Sequence, residues 1–453
     1  MNSYPDKKSS GLDWFGEIPL HWRCEHLKRF AARIQSGTTP PTDTPDYYFD
    51  GTIAWFTPSS YDGDLELREP RKLINEAARR DGTLRMFSAA TVFLVGIGAT
   101  IGKVGLITEV ASCNQQIIGI TCNQRLSGRY LAYQFKIYED VIPGIASATT
   151  LPILDQVKTG YLPVLQPPRE EQQRIAAYLD ASCAAIDAAV AAKRRQLETL
   201  DELRKAIVQR AVTRGLTEHV ELQDTGNSWM ESVPRGWSLV CLKRIAEIQT
   251  GLTLGKTYEG PLIERPYLRV ANVQDGHLDL DDVTLIEVPA AVAARVELRS
   301  GDVLMTEGGD LDKLGRGYLW HGEIEGCLHQ NHVFAVRCFC HKLLPKFLTY
   351  VTASRYGRDY FEATGKRTTN LACTNGTKVG EFPIPLPQRD EQVAICAHLD
   401  AKLSEVKSIV TGIESQIATL TAYRKSLIHE CVTGQRRVTE ADLNRAQNRS
   451  PGA

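Results

Sequence analysis

The chain has 453 residues, 43% of them hydrophobic and 24% charged, a composition typical of folded proteins with about two to four domains. Its 53 basic and 54 acidic residues give a net charge of −1, which counts against a stand-alone, strongly basic nucleic-acid binder but leaves local basic patches possible. Eleven scattered cysteines predict reduced thiols in a cytoplasmic protein. The polar residues 1–10 lack an apolar signal core, so no export signal is expected. No apolar run approaches the length needed to cross a bilayer, so no membrane partner is expected.

The most informative feature of the sequence is an internal duplication. Short motifs recur in the same order, separated by about 215 to 220 residues. The recurring pairs are residues 18–22 with 233–237, 27–29 with 242–244, 34–37 with 248–251, 165–172 with 385–392, and 212–213 with 432–433. Each copy contains a variable portion followed by a segment that matches well between the copies.

The variable portions are predicted to be two similar mixed α/β domains, at residues 1–166 and 215–386. They contain short runs rich in β-forming residues, such as residues 90–95 and 332–336, separated by glycine-containing turns. The overall fold class predicted for the chain is therefore α+β.

The matching segments, residues 167–214 and 387–434, are predicted to be long helices. Prolines precede acidic residues at both starts, and Gly215 and Gly434 supply the ends. Apolar residues recur every 3.5 positions over five or more heptads, which predicts an antiparallel coiled coil with helices roughly 60–70 Å long. The alternative is that each helix packs separately on its own domain. Residues 435–453 are expected to be a disordered tail.

The apolar seams of these helices are the predicted subunit interface. Arg204 and Arg424 recur at the same seam position, either because they extend to solvent or because they mark where the coiled coil accepts a partner helix, and the partner is favoured. The interface residues are Leu179, Ile186, Val190, Leu197, Leu200, Arg204, Ile207, Leu399, Val406, Val410, Ile417, Leu420, Arg424 and Leu427.

Several motifs resemble those of one protein family, the specificity subunits of Type I restriction-modification systems. The resemblance covers nearly the whole chain and rests on the order and repetition of short motifs. These are residues 34–40, 98–103 and 113–117 in the first half, residues 267–273, 301–304, 307–317 and 329–332 in the second, and the Pro-x-x-Glu-Gln start and Val-Thr-Gly end of the helices.

The resemblance implies a DNA-binding subunit with pseudo-two-fold symmetry and no catalytic centre or cofactor of its own. Two methyltransferase subunits would dock on the helices, and restriction/translocase subunits would join through them. S-adenosylmethionine, ATP and Mg²⁺ would belong to these partners. The sequence contains neither an Asn/Asp-Pro-Pro-aromatic motif nor a Gly-x-x-x-x-Gly-Lys-Ser/Thr loop. Two different readers on one duplex predict a bipartite, asymmetric site whose spacer depends on helix length.

Candidate DNA-binding residues of the first half lie in polar loops. The threonines could bond the DNA backbone or serve only the turn, and the amides could pair with adenine or satisfy backbone groups inside the domain. The lysine follows a glycine-rich turn for which nucleotide binding is disfavoured because the spacing fits neither nucleotide motif. These candidates are Thr38, Thr39, Lys103, Gln115, Gln116, Thr149 and Thr150.

The second half offers a more basic set. Two adjacent cations in a hydroxyl-rich loop could bind phosphate, with a solvated surface loop as the alternative. The candidates are Arg269, Asn272, Lys313, Arg316, Lys366, Arg367 and Thr368. Cys338 and Cys340 with nearby histidines suggest a metal, but Cys-x-Cys is a poor zinc spacing, so none is predicted.

A different class of function stays open at this point. The near-zero net charge also fits a coiled-coil scaffold whose end domains bind proteins. An enzyme is disfavoured, because no acid/base, nucleophile or metal constellation repeats between the two halves.

Overall fold

A computed structural model describes residues 3–145, 152–274, 276–309, 314–315, 317–367 and 372–448, with Gly309, Arg367 and Ala372 described by their backbone only. These residues fold into two compact units. Unit 1 comprises the described residues of 1–194 and 414–453, and unit 2 those of 195–413. Each unit therefore takes one predicted domain together with part of both long helices.

Unit 1 begins with twelve strands and four short helices. The strands are β1 (Lys7–Ser9), β2 (Glu17–Pro19), β3 (Arg23–His26), β4 (Ala31–Ser36), β5 (Ile53–Phe56), β6 (Lys72–Ile74), β7 (Met86–Phe87), β8 (Val92–Val95), β9 (Val104–Leu106), β10 (Ala111–Cys113), β11 (Ile117–Cys122) and β12 (Pro163–Gln166). The helices are α1 (Glu76–Arg80), α2 (Gly128–Lys136), α3 (Ile142–Ile145) and α4 (Gln156–Tyr161).

Two four-stranded sheets build the centre of unit 1. One has the order β6-β5-β10-β7 and the other β4-β11-β8-β9, and β12 pairs with β3 beside them. The apolar run of β8 is buried on both faces. Val92 and Leu94 join a core that also contains Trp22, Tyr130 and the first turns of the long helix that follows. Phe93 and Val95 face a second core on the other side of the strand.

The first long helix, α5 (Arg169–Arg214), carries the chain from unit 1 into unit 2. Unit 2 continues with fourteen strands: β13 (Leu222–Asn227), β14 (Met230–Pro234), β15 (Ser238–Cys241), β16 (Ala246–Thr250), β17 (Ile263–Leu268), β18 (Thr284–Val288), β19 (Val303–Thr306), β20 (Gly308–Gly309), β21 (Gly317–Leu319), β22 (Leu328–His329), β23 (Val333–Cys338), β24 (Lys366–Arg367), β25 (Ala372–Cys373) and β26 (Pro383–Leu386). Its short helices are α6 (Ala290–Val296), α7 (Pro345–Ala353), α8 (Arg355–Thr364) and α9 (Gly376–Glu381).

Unit 2 repeats the sheet plan of unit 1. Its main sheet has the order β16-β23-β19-β21, which matches β4-β11-β8-β9, and β15 pairs with β26 as β3 does with β12. The parallel pair of β17 with β22 matches that of β5 with β10. The predicted duplication and the mixed α+β fold class are confirmed.

The second long helix, α10 (Arg389–Val432), returns the chain from unit 2 to unit 1. In unit 1 the start of α5 and the end of α10 share one core, through Leu179 and Leu427 among others. In unit 2 the end of α5 and the start of α10 do the same, through Val208 and Leu399. The two helices thus pack antiparallel within each unit, and their seam residues are less exposed than the positions between them.

The predicted disordered tail is wrong for residues 435–448. A short helix, α11 (Glu440–Gln447), forms there behind a capping box made by Thr439 and Asp442. Arg174 on α5 donates to the carbonyl of Val438 at 2.9 Å and pairs with Glu440 at 3.2 Å. Because Val438 is buried against the unit 1 core, the segment gains enough contact to stay ordered.

Within the described residues, one helix contains a window long and apolar enough to cross a membrane by length and composition alone, namely α5. Only 33% of that window is buried within the fold. The window is alanine-rich, and its larger apolar residues Leu179, Cys183 and Ile186 lie in the unit 1 core. This is weak evidence for a membrane, since long helices of non-membrane proteins pass the same test.

Candidate nucleic-acid interface

Each unit anchors the first turn of its long helix on a repeated tryptophan. In unit 1 the indole Nε1–H of Trp22 donates to Oε2 of Glu171 at 3.3 Å. In unit 2 Trp237 makes the same bond to Glu391 at 2.9 Å. Both indoles are buried, so the bond fixes the direction in which each helix leaves its domain.

The same two tryptophans also contact the end of the other long helix. A Cβ added to Gly434, just beyond α10, would lie 3.3 Å from Cη2 of Trp22, and one added to Gly215, just beyond α5, would lie 3.3 Å from Cζ2 of Trp237. Both glycines have a φ of +73°, which lets the chain end the helix and turn beside the indole. Each domain therefore holds one helix start and one helix end.

A repeated glutamine completes both helix starts. The fully buried amide of Gln172 accepts from the Ser127 N–H at 2.8 Å and donates to the Pro167 carbonyl at 2.8 Å. Gln392 accepts from the Leu344 N–H at 2.8 Å and donates to the Pro387 carbonyl at 3.0 Å. The glutamine of the Pro-x-x-Glu-Gln motif is therefore structural, because burial leaves it unable to bind a partner.

The repeated glycines of the Ile-Gln-Ser/Thr-Gly motif allow two backbone segments to cross. A Cβ on Gly37 would lie 2.1 Å from the carbonyl oxygen of Cys113, and one on Gly251 would lie 1.9 Å from that of His329. Only glycine permits this approach. The crossing brings the loop after β4 or β16 against the loop that precedes β11 or β23.

Three segments meet beside this crossing in unit 1. The Gly96 N–H donates to the carbonyl of Gln116 at 2.8 Å, and the Leu154 N–H donates to the carbonyl of Gly96 at 2.8 Å. We call this arrangement the three-loop junction. It joins the end of β8, the Asn-Gln-Gln loop and the segment ahead of α4.

Unit 2 has the same three-loop junction. The Glu307 N–H donates to the carbonyl of His332 at 2.8 Å, and the Thr374 N–H donates to the carbonyl of Glu307 at 2.7 Å. One residue further on, Gly308 pairs with Cys373, which in turn pairs with Lys366. The exposed Lys366 thus lies ~10 Å, or two strand spacings, from the junction backbone.

The two junctions share a backbone but differ in side chains. Gly96 stands where unit 2 has Glu307, and Gln116 stands where unit 2 has His332. In unit 2 the His332 Nδ1 and the Glu307 Oε2 are 2.5 Å apart. In unit 1 the Gln116 Oε1 accepts from the Asn114 side chain at 2.9 Å. A constant frame with variable polar side chains suits the reading of two different sequences.

Several residues predicted to bind DNA in unit 1 come together here. The Thr39 hydroxyl donates to Oε1 of Gln115, and both side chains are exposed. Thr38 instead faces inward, where its hydroxyl accepts from the Arg85 N–H at 2.8 Å, an arrangement that favours its structural alternative. Lys103 is exposed in the turn from β8 to β9, a turn that begins at the junction.

The predicted residues of unit 2 divide in the same way. Asn272 is buried and bonds the backbone of Arg269, Asp279 and Asp282, which favours a structural role. The Arg269 guanidinium donates to the Asp282 carboxylate at 2.8 Å, so binding DNA would require it to leave this partner. Thr149, Thr150, Lys313, Arg316 and Thr368 lie outside the described residues, and of Arg367 only the backbone is described.

A buried histidine, His329, lies in β22, directly before the loop of the unit 2 junction. Burial lowers the pKa of the fully buried His329, whose Nδ1 lies 2.6 Å from the Val333 carbonyl. Its Nε2 has no partner among the described residues. Nearby, the buried Asp302 forms a two-bond ion pair with Arg337, at 2.9 and 2.7 Å, and this pair raises the arginine pKa. The His329 ring is therefore bonded to the backbone at the start of β23, at a buried place that favours the neutral imidazole.

The recurring seam arginines have different partners. Arg424 pairs with Asp187 of α5 at 3.0 Å within unit 1. Arg204 pairs with Asp201 of its own helix at 3.1 Å and is exposed. Docking of a partner helix at these positions stays a prediction.

No group of three His, Cys, Asp or Glu side chains that could hold a metal ion occurs among the described residues. Cys340 donates weakly to the carbonyl of Cys338 at 3.6 Å and does not share a ligand set with it. All eleven cysteines are free thiols.

One structural parallel was not found from the sequence. In unit 1 Thr57 and Ser60 cap a short 3-10 turn after β5, and in unit 2 Arg269 and Asn272 cap the turn after β17. Residues 57–60 and 269–272 have no residue type in common, so only the topology shows that the two turns are equivalent.

Comparison with known proteins shows the class that this chain resembles. Residues 30–199 match the Type I restriction modification DNA specificity domain. A solved structure concerning complex assembly and conformational transition of the type I R-M system has the same fold, with a TM-score of 0.70 at 16% identity, covering 92% of this chain and 98% of that one. The duplicated mixed fold is thus shared with that solved structure.

Curated relatives agree with this class. The putative type I restriction enzyme MjaX specificity subunit of Methanocaldococcus jannaschii is 26% identical over 203 residues, which are 44% of this chain and 46% of the relative, less than half its length. The type I restriction enzyme EcoKI specificity subunit of Escherichia coli K12 is 22% identical over 324 residues, 69% of this chain and 67% of the relative. The resemblance stated from the sequence is confirmed by the match to the specificity domain and by relatives named as type I specificity subunits.

Proposed function

We propose that this chain is a non-catalytic subunit that reads a bipartite, asymmetric DNA site, one half-site per unit. The observation that carries the proposal is the pair of three-loop junctions, which hold different side chains on one backbone frame. Hydrogen bonds from loop side chains to base edges would supply the sequence preference. Exposed cations such as Lys103 and Lys366 would bind phosphates.

The long helices are proposed to dock two methyltransferase subunits, through which restriction/translocase subunits join. Exposed apolar side chains on the helical part of unit 2 support this, since Leu203 is 48% and Ile409 51% exposed on otherwise polar faces. S-adenosylmethionine, ATP and Mg²⁺ would then belong to the partners. Because this chain is nearly neutral overall, the partner subunits would supply part of the positive charge that attracts DNA. The expected compartment is the cytoplasm, where the chromosome is accessible.

The test is the adenine methylome of a host that carries this chain with its neighbouring methyltransferase, compared with a deletion of this chain. Loss of methylation at one bipartite, asymmetric motif is the expected result, and the motif reveals both half-sites. Methylation that does not change, while the methyltransferase is active on another subunit, would contradict the proposal and favour a protein-binding scaffold.

A further inference from the structure

A carboxylate lies in the three-loop junction of unit 2, two strand spacings from the exposed Lys366. Glu307 belongs to the three-loop junction, one residue before the strand that leads across Cys373 to Lys366. Its side chain is partly exposed, at 26%. A carboxylate beside DNA phosphates is repelled by their negative charge, which weakens DNA binding. A hydrogen-bond donor on the DNA would offset this cost.

His332 holds this carboxylate in one orientation. The Nδ1 of the ring lies 2.5 Å from Oε2, and the two backbones are joined by the junction hydrogen bond. Because a carboxylate only accepts hydrogen bonds, the ring must donate through Nδ1–H. Among the described residues no other group donates to this carboxylate, which leaves Oε1 able to accept from a ligand.

Unit 1 offers no such acceptor at the matching place. Gly96 replaces Glu307, and the nearest exposed polar side chain of the Asn-Gln-Gln loop is the amide of Gln115, which both donates and accepts. The backbone does not require an acidic residue at this position, because the same junction closes with glycine. The carboxylate is therefore not needed for the folding of the junction, which leaves it a role in binding the ligand of unit 2.

We propose that Glu307 accepts a hydrogen bond from the exocyclic amino group of a cytosine in the half-site read by unit 2, with His332 as its positioning residue. Of the four bases, cytosine shows a lone amino donor in the major groove without a neighbouring acceptor, which is the pattern that a carboxylate matches and an amide or a cation does not. The inference rests on the proposed function of DNA reading and names one base within it.

The experiment uses the complex of the full chain with its methyltransferase and selects bound duplexes from a library randomised over both half-sites. The wild type is compared with Glu307→Ala, Glu307→Gln and Gln115→Ala. Glu307→Ala is expected to lower the preference for cytosine at one position about 5- to 150-fold, while Glu307→Gln shifts that position towards adenine. All other positions keep their preference. Gln115→Ala, which changes only the other half-site, identifies the half read by unit 2.

His332 is tested at the same position. His332→Ala is expected to relax the cytosine preference, and His332→Asn, which keeps an N–H near the place of Nδ1, restores part of it. Glu287→Gln, the same loss of charge on the edge strand β18, serves as the control and leaves the motif unchanged.

The outcomes separate the two proposals. A wild-type complex that selects no motif refutes DNA reading as such. A wild-type complex that selects a bipartite motif that stays the same in both Glu307 variants overturns the cytosine contact alone. Loss of selectivity across the whole unit 2 half-site in Glu307→Ala, accompanied by a lower melting temperature, would mean that the pair only supports the loop and would also overturn the inference.

Discussion

The indole N–H of Trp237 donates to the Glu391 carboxylate across 2.9 Å, and this is the only hydrogen bond that the carboxylate receives from the described side chains of unit 2. In unit 1 the matching carboxylate of Glu171 accepts from Trp22 and also from Tyr4, while His21 lies 3.0 Å away. The carboxylate at the helix start is thus held by one side-chain donor in unit 2 and by several side chains in unit 1.

This difference predicts unequal costs for the same substitution. Trp237→Phe removes the one bond to a charged group and should cost about 1.5–3 kcal/mol, whereas Trp22→Phe leaves Glu171 with other partners and should cost about 1 kcal/mol less. Both changes lose similar buried area and the same indole N–H donor, so the difference isolates the cost of leaving Glu391 without a side-chain donor. Calorimetric unfolding of the two variants measures it, and equal losses would refute the argument.

The backbone crossing predicts a second pair of outcomes. Gly37→Ala places a Cβ 2.1 Å from a carbonyl oxygen and should separate the loops of unit 1, abolishing selection at one half-site while the other is still read. Gly412→Ala is the control, because Gly412 lies inside α10 with nothing within 4 Å of an added Cβ. It should stabilise the helix by about 0.5–1 kcal/mol. Normal selection by Gly37→Ala at both half-sites would show that the crossing is not needed.

The features that could be predicted from the sequence are those with local or periodic signals. The heptad spacing and the proline starts gave helices at 167–214 and 387–434, and the structure has them at 169–214 and 389–432. The roles of loop polar residues could not be predicted, because their partners are distant in the chain. Thr38 bonds Arg85, which is 47 positions away, and nothing near Thr38 indicates this.

The ordered tail shows the opposite case, in which a local signal was present. Thr439 and Asp442 have the spacing of a capping box, which marks a helix start. A helix of eight residues is not stable alone, so the sequence signal decides little until a packing surface is known. That surface is formed by α5 and α10 of unit 1, which is visible only in three dimensions.

Phosphate binding by Lys366 and Arg367 can be separated from base reading by its salt dependence. The double change Lys366→Ala/Arg367→Ala should weaken binding to all sequences and reduce the slope of log K against log salt by about one to two. Lys342→Ala, which changes an exposed lysine of unit 2 outside the long helices, is the matched control. The measurement is a titration of the methyltransferase complex with DNA at several salt concentrations. Unchanged affinity and slope would remove this loop from the interface.

The buried His329 predicts that unit 2 loses stability in mild acid. Its pKa is lowered in the folded protein because burial disfavours the imidazolium, with the Asp302–Arg337 pair and the backbone of Gln330 and Val333 as the groups around it. Below the unfolded pKa of about 6.5 the unfolded chain therefore binds a proton that the folded chain does not. Stability is fully present above that pH and falls as the pH decreases, by up to about 1.4 kcal/mol per pH unit.

The substitution His329→Asn removes the titrating group and keeps an N–H for the Val333 carbonyl, whose oxygen now lies 2.6 Å from Nδ1. The variant should be less stable than the wild type at pH 7.5, because it leaves a small cavity, but it should lose less on going to pH 5.5. Melting temperatures across this range test the difference between the two proteins. If both proteins lost the same stability on acidification, His329 would take up its proton as readily in the folded state as in the unfolded one. The imidazole beside the junction would then be charged in mild acid.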